Sequence, residues 1–268
     1  MTTPDTLDPL AVQRLRHPLQ FRRVRVLQVH RPSPHLVRIR FAGEALRGFV
    51  SASFDDHFKL ALPTEPDGEL PLPTPGPDGL QWPEHAPRPV LRDYTPQRFD
   101  SAQGWLDVEF ALHGDGFAAQ WAAQARVGQE AGVGGPRGSF VVPTGFDWHL
   151  LVGDETALPA IARRLEELPA GTQALVIAET ADPADRRVLP SRANLQLRWL
   201  TEVQDGGLAQ AVRELRLPPG EGYAWVAGES LVVATTRRVL VEQHGLAKER
   251  LRASAYWKRG ASAHHETL

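Results

Sequence analysis

The segment "WHLLVGDETALPAI", residues 148–161, is the stretch that decides the fold. It begins as a short, continuously apolar run and passes through Gly153 and Asp154 into a sequence with helical character. A buried strand that turns directly into a helix is typical of a βαβ unit. Three more apolar runs follow, separated by helical stretches: "TQALVIAET", "NLQLRWL" and "YAWVAGE". The C-terminal half is therefore predicted to form a parallel sheet covered by helices on both faces.

The N-terminal half has the pattern of a different kind of sheet. Apolar and polar residues alternate in four segments: "FRRVRVLQVHRP" (21–32), "HLVRIRFAG" (35–43), "DHFKLAL" (56–62) and "WLDVEFALH" (105–113). A period of two is typical of half-buried antiparallel strands. Residues 63–89 hold nine prolines, which are too many for a regular ladder. We interpret that stretch as a surface excursion from an antiparallel β domain.

The change of pattern near "VPTGFDW", residues 142–148, predicts a domain boundary. A chain of 268 residues is long enough for two domains that each bury a core. We assign residues 19–145 to the antiparallel β domain and residues 146–260 to the α/β domain. Residues 1–18 are expected to form an N-terminal extension and residues 261–268 a C-terminal tail, both poorly ordered.

The composition argues against several classes of protein. Thirty Lys and Arg residues against 32 Asp and Glu residues give a net charge of -2, so nucleic-acid binding is not indicated. The apolar runs fall short of the roughly twenty residues of a membrane span. The N-terminus lacks the basic start and apolar stretch of a secretory signal. We therefore expect a cytoplasmic protein without membrane insertion.

The absence of cysteine restricts the chemistry further. It excludes disulfides, thiolate catalysis, cysteine-bound zinc and cysteine-ligated iron–sulfur clusters. His30, His57 and His113 lack the compact spacing of metal ligands, so no metal site is predicted. Electron transfer in this protein would therefore depend on an organic cofactor.

The segment "RDYTPQRFD", residues 92–100, places a cation, an aromatic ring and a hydroxyl within four residues. Arg92 could clamp a phosphate, Tyr94 could lie against a flat ring, and Thr95 could hydrogen-bond a ring nitrogen or carbonyl. These three chemistries together favour a flavin. The alternative is that Arg92 and Tyr94 are outward residues of a strand that ends at Thr95 and Pro96.

A glycine-rich turn, "GVGGPRGSF" at residues 132–140, adds a candidate phosphate site. Glycines such as Gly135 and Gly138 let backbone amides approach a phosphate closely, and Ser139 adds a hydroxyl. His113 lies between a strand and a short helix whose amide end could face a pyrophosphate. The alternatives are a plain turn and a surface histidine.

Two strand ends of the α/β domain are candidate nucleotide sites. Ligands of open α/β sheets bind at the carboxyl edge, where "GDETALPAI" and "WVAGES" (225–230) lie. The first segment is not a GxGxxG fingerprint. Gly153 and Asp154 would shape its turn and Thr156 would cap its helix, which leaves a capped helix start without a ligand as an alternative. The second edge would receive a nicotinamide.

Seven segments in the same order across residues 55–260 resemble the siderophore-interacting proteins, flavin-dependent ferric-siderophore reductases related to ferredoxin–NADP reductases. The segments are "DDHFKLALP", "RDYTPQRFD", "ALHGDGFAAQWA", "GGPRGSF", "GDETALPAI", "WVAGES" and the terminal "YWKRG". The resemblance implies a six-stranded antiparallel FAD-binding β-barrel followed by an α/β domain that binds NAD(P)H. It extends over nearly the whole chain between the expected extension and tail.

The resemblance also implies roles for individual residues, and it assigns no catalytic side chain. The FAD contacts would be Arg92, Tyr94, Thr95, His113, Gly135, Pro136 and Ser139. The pyridine-nucleotide side would be Gly153, Asp154, Thr156, Gly228 and Glu229. A basic triad for the anionic ferric complex would be Lys59, Arg137 and one of Lys258 or Arg259.

The sequence departs from the family pattern at two places. Phe117 stands where many members have a proline, which affects the fit around FAD. Ser230–Val233 stand where the family commonly has alanines, which leaves the nicotinamide contacts open. Neither departure removes a residue that the chemistry requires.

The function implied by the resemblance is reduction of ferric siderophores with electrons from NAD(P)H through FAD, with a reduced ferredoxin as an alternative donor. Oxygen donors hold ferric iron more tightly than ferrous iron, so one electron loosens the complex. Lysine and arginine would attract the anionic complex without coordinating the metal. We expect a monomer. The alternatives are a general flavin reductase, a reductase that feeds a separate redox protein, and a non-catalytic siderophore-binding flavoprotein.

Overall fold

The computed structural model describes residues 8–65, 68–76, 79–112, 116–201, 207–261 and 266–267. The elements of the N-terminal half are strands β1 (Gln13–Arg16), β2 (Phe21–Ser33), β3 (Leu36–Ala42), β4 (Phe58–Leu62), β5 (Thr74–Gly76), β6 (Gly79–Gln81), β7 (Val90–Tyr94), β8 (Arg98–Asp100), β9 (Trp105–Ala111), helix α1 (Phe117–Ala123), and strands β10 (Glu130–Gly134) and β11 (Gly138–Val141). Each of the four alternating segments contains a strand, as predicted.

Seven of these strands form one antiparallel sheet in the order β7-β4-β10-β2-β3-β9-β8. The edge strands β7 and β8 are consecutive in the chain, and only residues 95–97 join them. Such a connection spans at most about 14 Å, so the sheet must curl until its edges approach each other. The predicted barrel is thus a curled, half-barrel sheet, and the expected count of six strands is wrong because the short β8 adds a seventh.

The alternating pattern places one face of this sheet in a core. Val24 and Val26 of β2 and Ile39 and Phe41 of β3 are almost completely buried. Helix α1 closes one end of the core, where the Trp121 ring stacks on Phe41 with centroids 6.3 Å apart. The proline-rich excursion pairs only with itself among the described residues, as the short β5-β6 hairpin. The core therefore lies inside the curl, and the excursion lies outside the main sheet.

The elements of the C-terminal half are β12 (Trp148–Gly153), α2 (Leu158–Glu167), β13 (Gln173–Thr180), β14 (Asn194–Thr201), α3 (Gly207–Glu214), β15 (Gly222–Glu229), α4 (Ser230–Glu242), β16 (Leu251–Trp257) and β17 (Glu266–Thr267). They form a sheet in the order β14-β13-β12-β15-β16-β17. The first five strands are parallel. One face packs with α2 and the other with α3 and α4, as predicted for βαβ units.

Both chain ends contain strands that the sequence did not predict. β1 pairs with β11 from Gln13↔Val141 to Arg16↔Gly138, and β17 pairs antiparallel with β16. The expectation of poorly ordered ends is therefore wrong for these residues. The reason is tertiary: "QRLR" and "ET" are paired through backbone hydrogen bonds, which any sequence without proline can supply.

Candidate functional site

A cleft of about 240 Å³ lies between the two domains, at the outer side of edge strand β7. Arg92 and Tyr94 of β7 line it, and so does Thr95, which follows the strand. The structure therefore brings together the three side chains that the sequence singled out. Tyr94 and Phe110 pack with ring centroids 4.4 Å apart. Burial raises the pKa of Tyr94, so its phenol is neutral at physiological pH.

The position of β7 explains why this strand can serve a ligand. It pairs with β4 on one side, from Phe58↔Tyr94 to Leu62↔Val90. In the described part of the chain it is the edge of its sheet. An edge strand presents unpaired backbone amides and carbonyls on its outer side. The cleft thus offers backbone donors and acceptors next to a cation, an aromatic ring and a hydroxyl.

The opposite wall of the cleft comes from the α/β domain. Glu155 and Thr156 reach it from the turn between β12 and α2, and Tyr256 and Trp257 reach it from the end of β16. The Tyr256 phenol lies next to the Thr95 side chain, and burial raises its pKa. The resemblance had pointed to "YWKRG" only for its two cations. Sequence reasoning therefore missed the two aromatic residues that line the cleft.

Asp154 lies at the centre of the nucleotide-edge residues but is hydrogen-bonded within the protein. Its Oδ1 accepts from the backbone amide and hydroxyl of Thr156, at 2.9 and 2.5 Å. Its Oδ2 accepts from the Glu229 amide at 3.0 Å and from Trp257 Nε1 at 2.8 Å. Burial and the nearby Glu155 carboxylate raise the pKa of Asp154 to about 6, although Thr156 and Trp257 donate to it.

The glycines of this edge are required by close packing. A Cβ on Gly153 would lie 2.4 Å from the Ala157 Cβ. Gly228 has a φ of 142°, and a Cβ there would lie 2.4 Å from Asp154 Oδ2. Both positions therefore let strand ends and the α2 turn approach one another closely. The predicted edge residues Gly153, Asp154, Thr156 and Gly228 form one compact cluster.

Glu229 caps the N-terminus of α4. Its side chain accepts from the amides of Leu231 at 2.7 Å and Val232 at 3.1 Å. Burial acts to raise the pKa of Glu229, but hydrogen bonds from the amides of Val232, Arg259 and Leu231 bring it below its usual value. An ionised carboxylate is favourable at the positive end of a helix. Glu229 thus shapes the edge from which a nucleotide would bind.

The glycine-rich segment, which the sequence predicted as one turn, is mostly strand: residues 132–134 end β10, residues 138–140 begin β11, and only residues 135–137 form the turn. Gly135 has a φ of 94°, and its carbonyl accepts from Arg22 at 3.1 Å. The buried Ser139 hydroxyl donates to Asp56 at 2.6 Å and accepts from the Ala52 amide at 3.1 Å. The described residues that line the cleft include neither Pro136 nor any other residue of 132–140. The predicted residue His113 lies outside the described residues.

The four predicted cations lie on different segments around this region. Lys59 pairs with Asp93, a cleft residue, at 2.7 Å, and lies opposite Gly134 in the adjacent ladder. Arg137 is exposed in the turn that follows Gly134. Lys258 and Arg259 directly follow Trp257, and the Arg259 amide donates to Glu229 at 3.3 Å. The structure thus places Lys59 next to the cleft and the terminal pair immediately after its aromatic wall.

A buried arginine links the two domains beneath the cleft. Arg163 of α2 donates to the Pro96 carbonyl at 3.0 Å and to the Ser51 hydroxyl and carbonyl at 2.8 and 3.0 Å. Pro96 follows Thr95, so this contact holds the turn that presents Thr95. Sequence reasoning did not select Arg163. The signal was present, because two consecutive arginines interrupt the apolar face of "ALPAIARRLEEL".

The residues of the cleft fit a flavin. A flat ring system needs an apolar slot with hydrogen-bonding groups at its edge, and a pyrophosphate needs a cation or free amides. The cleft combines apolar walls from Leu36, Phe117 and Trp257 with the Thr95 hydroxyl and the Arg92 guanidinium. Phe117 begins α1 at a position where proline is also well tolerated. Phe117, which stands where many family members have a proline, therefore provides a larger apolar wall.

The fold of this protein is one that is also found in ferredoxin reductases. It resembles the ferredoxin reductase of carbazole 1,9a-dioxygenase with a TM-score of 0.63 and 18% sequence identity, over 88% of this chain and 68% of that one. This likeness identifies a ferredoxin-reductase-like fold, an antiparallel β domain followed by an α/β domain. It defines the class but not the activity.

More specific matches identify the family. A profile of the siderophore-interacting FAD-binding domain matches residues 25–140, and a profile of the siderophore-interacting protein matches residues 146–260. A siderophore utilization protein from T. fusca shares the fold with a TM-score of 0.86 and 34% identity, over 94% of this chain and 98% of that one. The chain belongs to the siderophore-interacting protein family.

Two curated relatives have names that state a reaction. The NADPH-dependent ferric-chelate reductase of Escherichia coli K12 is 40% identical, over 93% of this chain and 97% of that protein. The ferric vibriobactin reductase ViuB of Vibrio cholerae is 34% identical, over 87% of this chain and 89% of that protein. Both alignments extend over nearly all of the proteins compared.

Proposed function

We propose that this protein reduces ferric siderophores, taking electrons from NAD(P)H through bound FAD. The observation that carries the proposal is the cleft between the domains, in which the "RDYT" side chains face Thr156 and Trp257 of the nucleotide-binding domain. A flavin held there would be accessible to a donor on the α/β side and to an acceptor at the open mouth. The relatives named ferric-chelate and ferric vibriobactin reductases support the same reaction.

The FAD would be held mainly by β7 and the turn that follows it. Arg92 would pair with a phosphate oxygen, the neutral Tyr94 phenol would pack against the ring system, and Thr95 would hydrogen-bond the ring edge. When bound, FAD accepts two electrons from a nicotinamide and passes them singly to an acceptor. The chain would orient the ring through Thr95, which lies beside Tyr256 in the cleft and directly before Pro96, whose carbonyl accepts from Arg163.

The electron donor would bind at the carboxyl edge of the parallel sheet. The ends of β12 and β15 meet there, and open α/β sheets bind nucleotides at such edges. NADPH is the donor we favour, because the most similar curated relative reported above is named for it. A reduced ferredoxin is the alternative donor.

The substrate would be an anionic ferric siderophore held by charge. Lys59, Arg137 and one of Lys258 or Arg259 would attract it, and lysine and arginine do so without competing for the metal. Lys59 is half exposed beside Asp93, so its ammonium group remains reachable from solvent. Iron is thus the cargo of the substrate and not a resident cofactor of the protein.

The proposal includes a monomer that works in the cytoplasm. Within the described ranges, no helix has both the length and the apolar character that a membrane crossing demands. Light scattering after size-exclusion chromatography tests the monomer. Fractionation of cells that produce the protein tests the location.

The reaction is tested by comparing electron acceptors. Purified protein with FAD and NADPH receives either a ferric siderophore or free riboflavin, and a ferrous chelator traps released iron. We expect NADPH-dependent formation of the ferrous chelate at a rate that exceeds riboflavin reduction. Riboflavin reduction without direct ferric turnover would indicate a general flavin reductase. Stoichiometric siderophore binding without NADPH oxidation would indicate a non-catalytic flavoprotein.

A further inference from the structure

The end of β16 contains an irregularity that turns two consecutive aromatic residues toward one cleft. The register with β15 runs regularly to Gly228↔Ala255 and then shifts, so that Glu229 pairs with Trp257. In a regular strand, successive side chains point to opposite faces. Tyr256 and Trp257 nevertheless both line the cleft. Bulges re-aim side chains in this way and are frequent beside functional sites.

The Trp257 ring is held in place by one carboxylate. Its Nε1 donates to Asp154 Oδ2 at 2.8 Å, and Asp154 is only 7% exposed. An ionised carboxylate has about four acceptor positions. The Thr156 amide, the Thr156 hydroxyl, the Glu229 amide and the Trp257 indole supply four donors. The carboxylate is therefore filled by protein donors, and no acceptor position is left for a ligand.

The backbone around the carboxylate is shaped to let it approach. Gly228 adopts a φ of 142°, which side chains other than hydrogen disfavour, and a Cβ there would lie 2.4 Å from Asp154 Oδ2. The Asp154 carboxylate, directly after the end of β12, thus joins that strand end to Glu229 at the end of β15 and Trp257 at the end of β16. Thr156, on the turn after β12, lines the same cleft as Trp257. One buried group sets the geometry of the whole wall.

We propose that Asp154 is a positioning residue that fixes the Trp257 indole as the aromatic wall that the α/β domain contributes to the flavin cleft. The FAD site would then be completed by the second domain and not by the β domain alone. Asp154 would act through Trp257 instead of contacting the pyridine nucleotide. This inference rests on the proposed function, since it takes FAD as the ligand of the cleft.

The test is a titration of the FAD-free protein with FAD, followed by the fluorescence of bound FAD. An aromatic ring in contact with a flavin quenches its emission, so a displaced indole raises it. Because an aromatic pair contributes about 0.5–1.5 kcal/mol, Trp257→Ala is expected to weaken FAD binding roughly two- to tenfold and to brighten bound FAD. Trp257→Phe and Asp154→Asn are expected to shift both readouts in the same direction, by less.

A double-mutant cycle separates positioning from independent effects. If Asp154 acts through Trp257, the Asp154→Asn/Trp257→Phe variant resembles the stronger single variant, whereas independent roles give additive losses. Trp225→Phe is the matched control, because the Trp225 indole also donates to a buried carboxylate, Asp55, at 3.3 Å but does not line the cleft. We expect wild-type FAD affinity and fluorescence for it.

Several results would overturn the inference. Wild-type affinity and fluorescence in Trp257→Ala would show that the indole is not a wall of the FAD site. Fully additive losses would show that Asp154 does not act through Trp257. If Asp154→Asn fails to fold, Trp257→Phe decides, and unchanged readouts there contradict the proposal. Wild-type protein that takes up no FAD would instead contradict the proposed function.

Discussion

At the scale of single residues, the buried carboxyl of Asp154 makes the free energy of unfolding depend on pH. Burial raises its pKa from an ordinary value of 3.8 to about 6, with Glu155 adding to the effect. The folded chain therefore binds a proton more tightly than the unfolded chain. The contribution of this carboxyl to the free energy of unfolding is fully present below about pH 4 and is lost as the pH rises through about 6.

The first prediction follows from that sign. Between pH 5 and pH 7, the free energy of unfolding of the FAD-free wild type should fall by about 1 kcal/mol relative to that of Asp154→Asn, which has no proton to lose. Urea denaturation of both proteins at the two pH values measures this difference. Parallel changes in the two proteins would mean that Asp154 titrates in the fold as it does in the unfolded chain.

The second prediction concerns Arg92, whose guanidinium lines the cleft and donates to the Leu91 carbonyl at 2.8 Å. A charge-assisted contact to a phosphate is worth about 1.5–3 kcal/mol, so Arg92→Ala should weaken FAD binding roughly tenfold to a hundredfold. FAD titration measures the effect. Arg216→Ala, at an exposed position of the other domain, is the control. Equal affinity in both variants would make Arg92 an ordinary strand residue.

The residue scale also shows what a sequence can and cannot predict about a site. The grouping of Arg92, Tyr94 and Thr95 could be predicted, because they are neighbours in the chain and need only a strand to present them. The place of Trp257 could not, because it depends on a register shift between two distant strands. The Ser139 hydroxyl similarly donates to Asp56, and no local sequence pattern predicts this distant partner.

At the scale of elements, helix α2 holds the domains together under the cleft. Arg163 is 8% exposed and satisfies Ser51 and the Pro96 carbonyl across the interface. Arg98 and Glu166 form a second interdomain pair, but one that lies at the surface. Buried polar contacts are costly to break, whereas exposed ion pairs contribute little. The buried Arg163 contacts therefore contribute more to the stability of the interface than the exposed Arg98–Glu166 pair does.

The third prediction compares these pairs. Arg163→Ala leaves buried acceptors without a donor and should destabilise the protein by about 1–3 kcal/mol, with weaker FAD binding because the turn after Thr95 is released. Arg98→Ala should change stability by less than about 1 kcal/mol and leave FAD affinity unchanged. Thermal unfolding and FAD titration check both. An equal loss in the two variants would contradict a special role for the buried contact.

Element by element, the apolar patterns predicted the longer strands of both domains, because side-chain alternation and continuous apolar runs reflect burial on one or two faces. β1, β5, β6, β8, β10, β11 and β17 were not predicted. Each is only two to five residues long. Such segments have little side-chain pattern and are paired by backbone hydrogen bonds to strands that other residues have already placed.

At the scale of the whole molecule, the charge is almost balanced, with a net charge of -2. Under the proposed function, attraction of an anionic siderophore would therefore come from a local group of cations and not from the overall field. Lys59 and Arg137 lie on neighbouring segments, because Lys59 is opposite Gly134 and Arg137 follows in the next turn. Binding of the siderophore near these two cations would therefore depend on the salt concentration.

The fourth prediction is that Lys59→Ala/Arg137→Ala raises the KM for an anionic ferric siderophore and makes the reaction less sensitive to salt, with flavin reduction by NADPH nearly unchanged. Initial rates at low and high ionic strength measure both effects. Arg14→Ala/Lys248→Ala removes the same charge from a separate groove near the start of β16 and is the control. Matching salt dependence in both double variants would move the substrate site elsewhere.

The central claim is that one cleft passes electrons from a nicotinamide through FAD to a ferric siderophore. The most direct measurement is the visible spectrum of the FAD-loaded protein, recorded anaerobically after addition of NADPH and again after addition of a ferric siderophore. We expect NADPH to bleach the flavin absorbance and the ferric complex to restore it while ferrous iron is formed. A flavin that NADPH reduces but the ferric complex leaves bleached, or one that no pyridine nucleotide or reduced ferredoxin bleaches, would contradict the account.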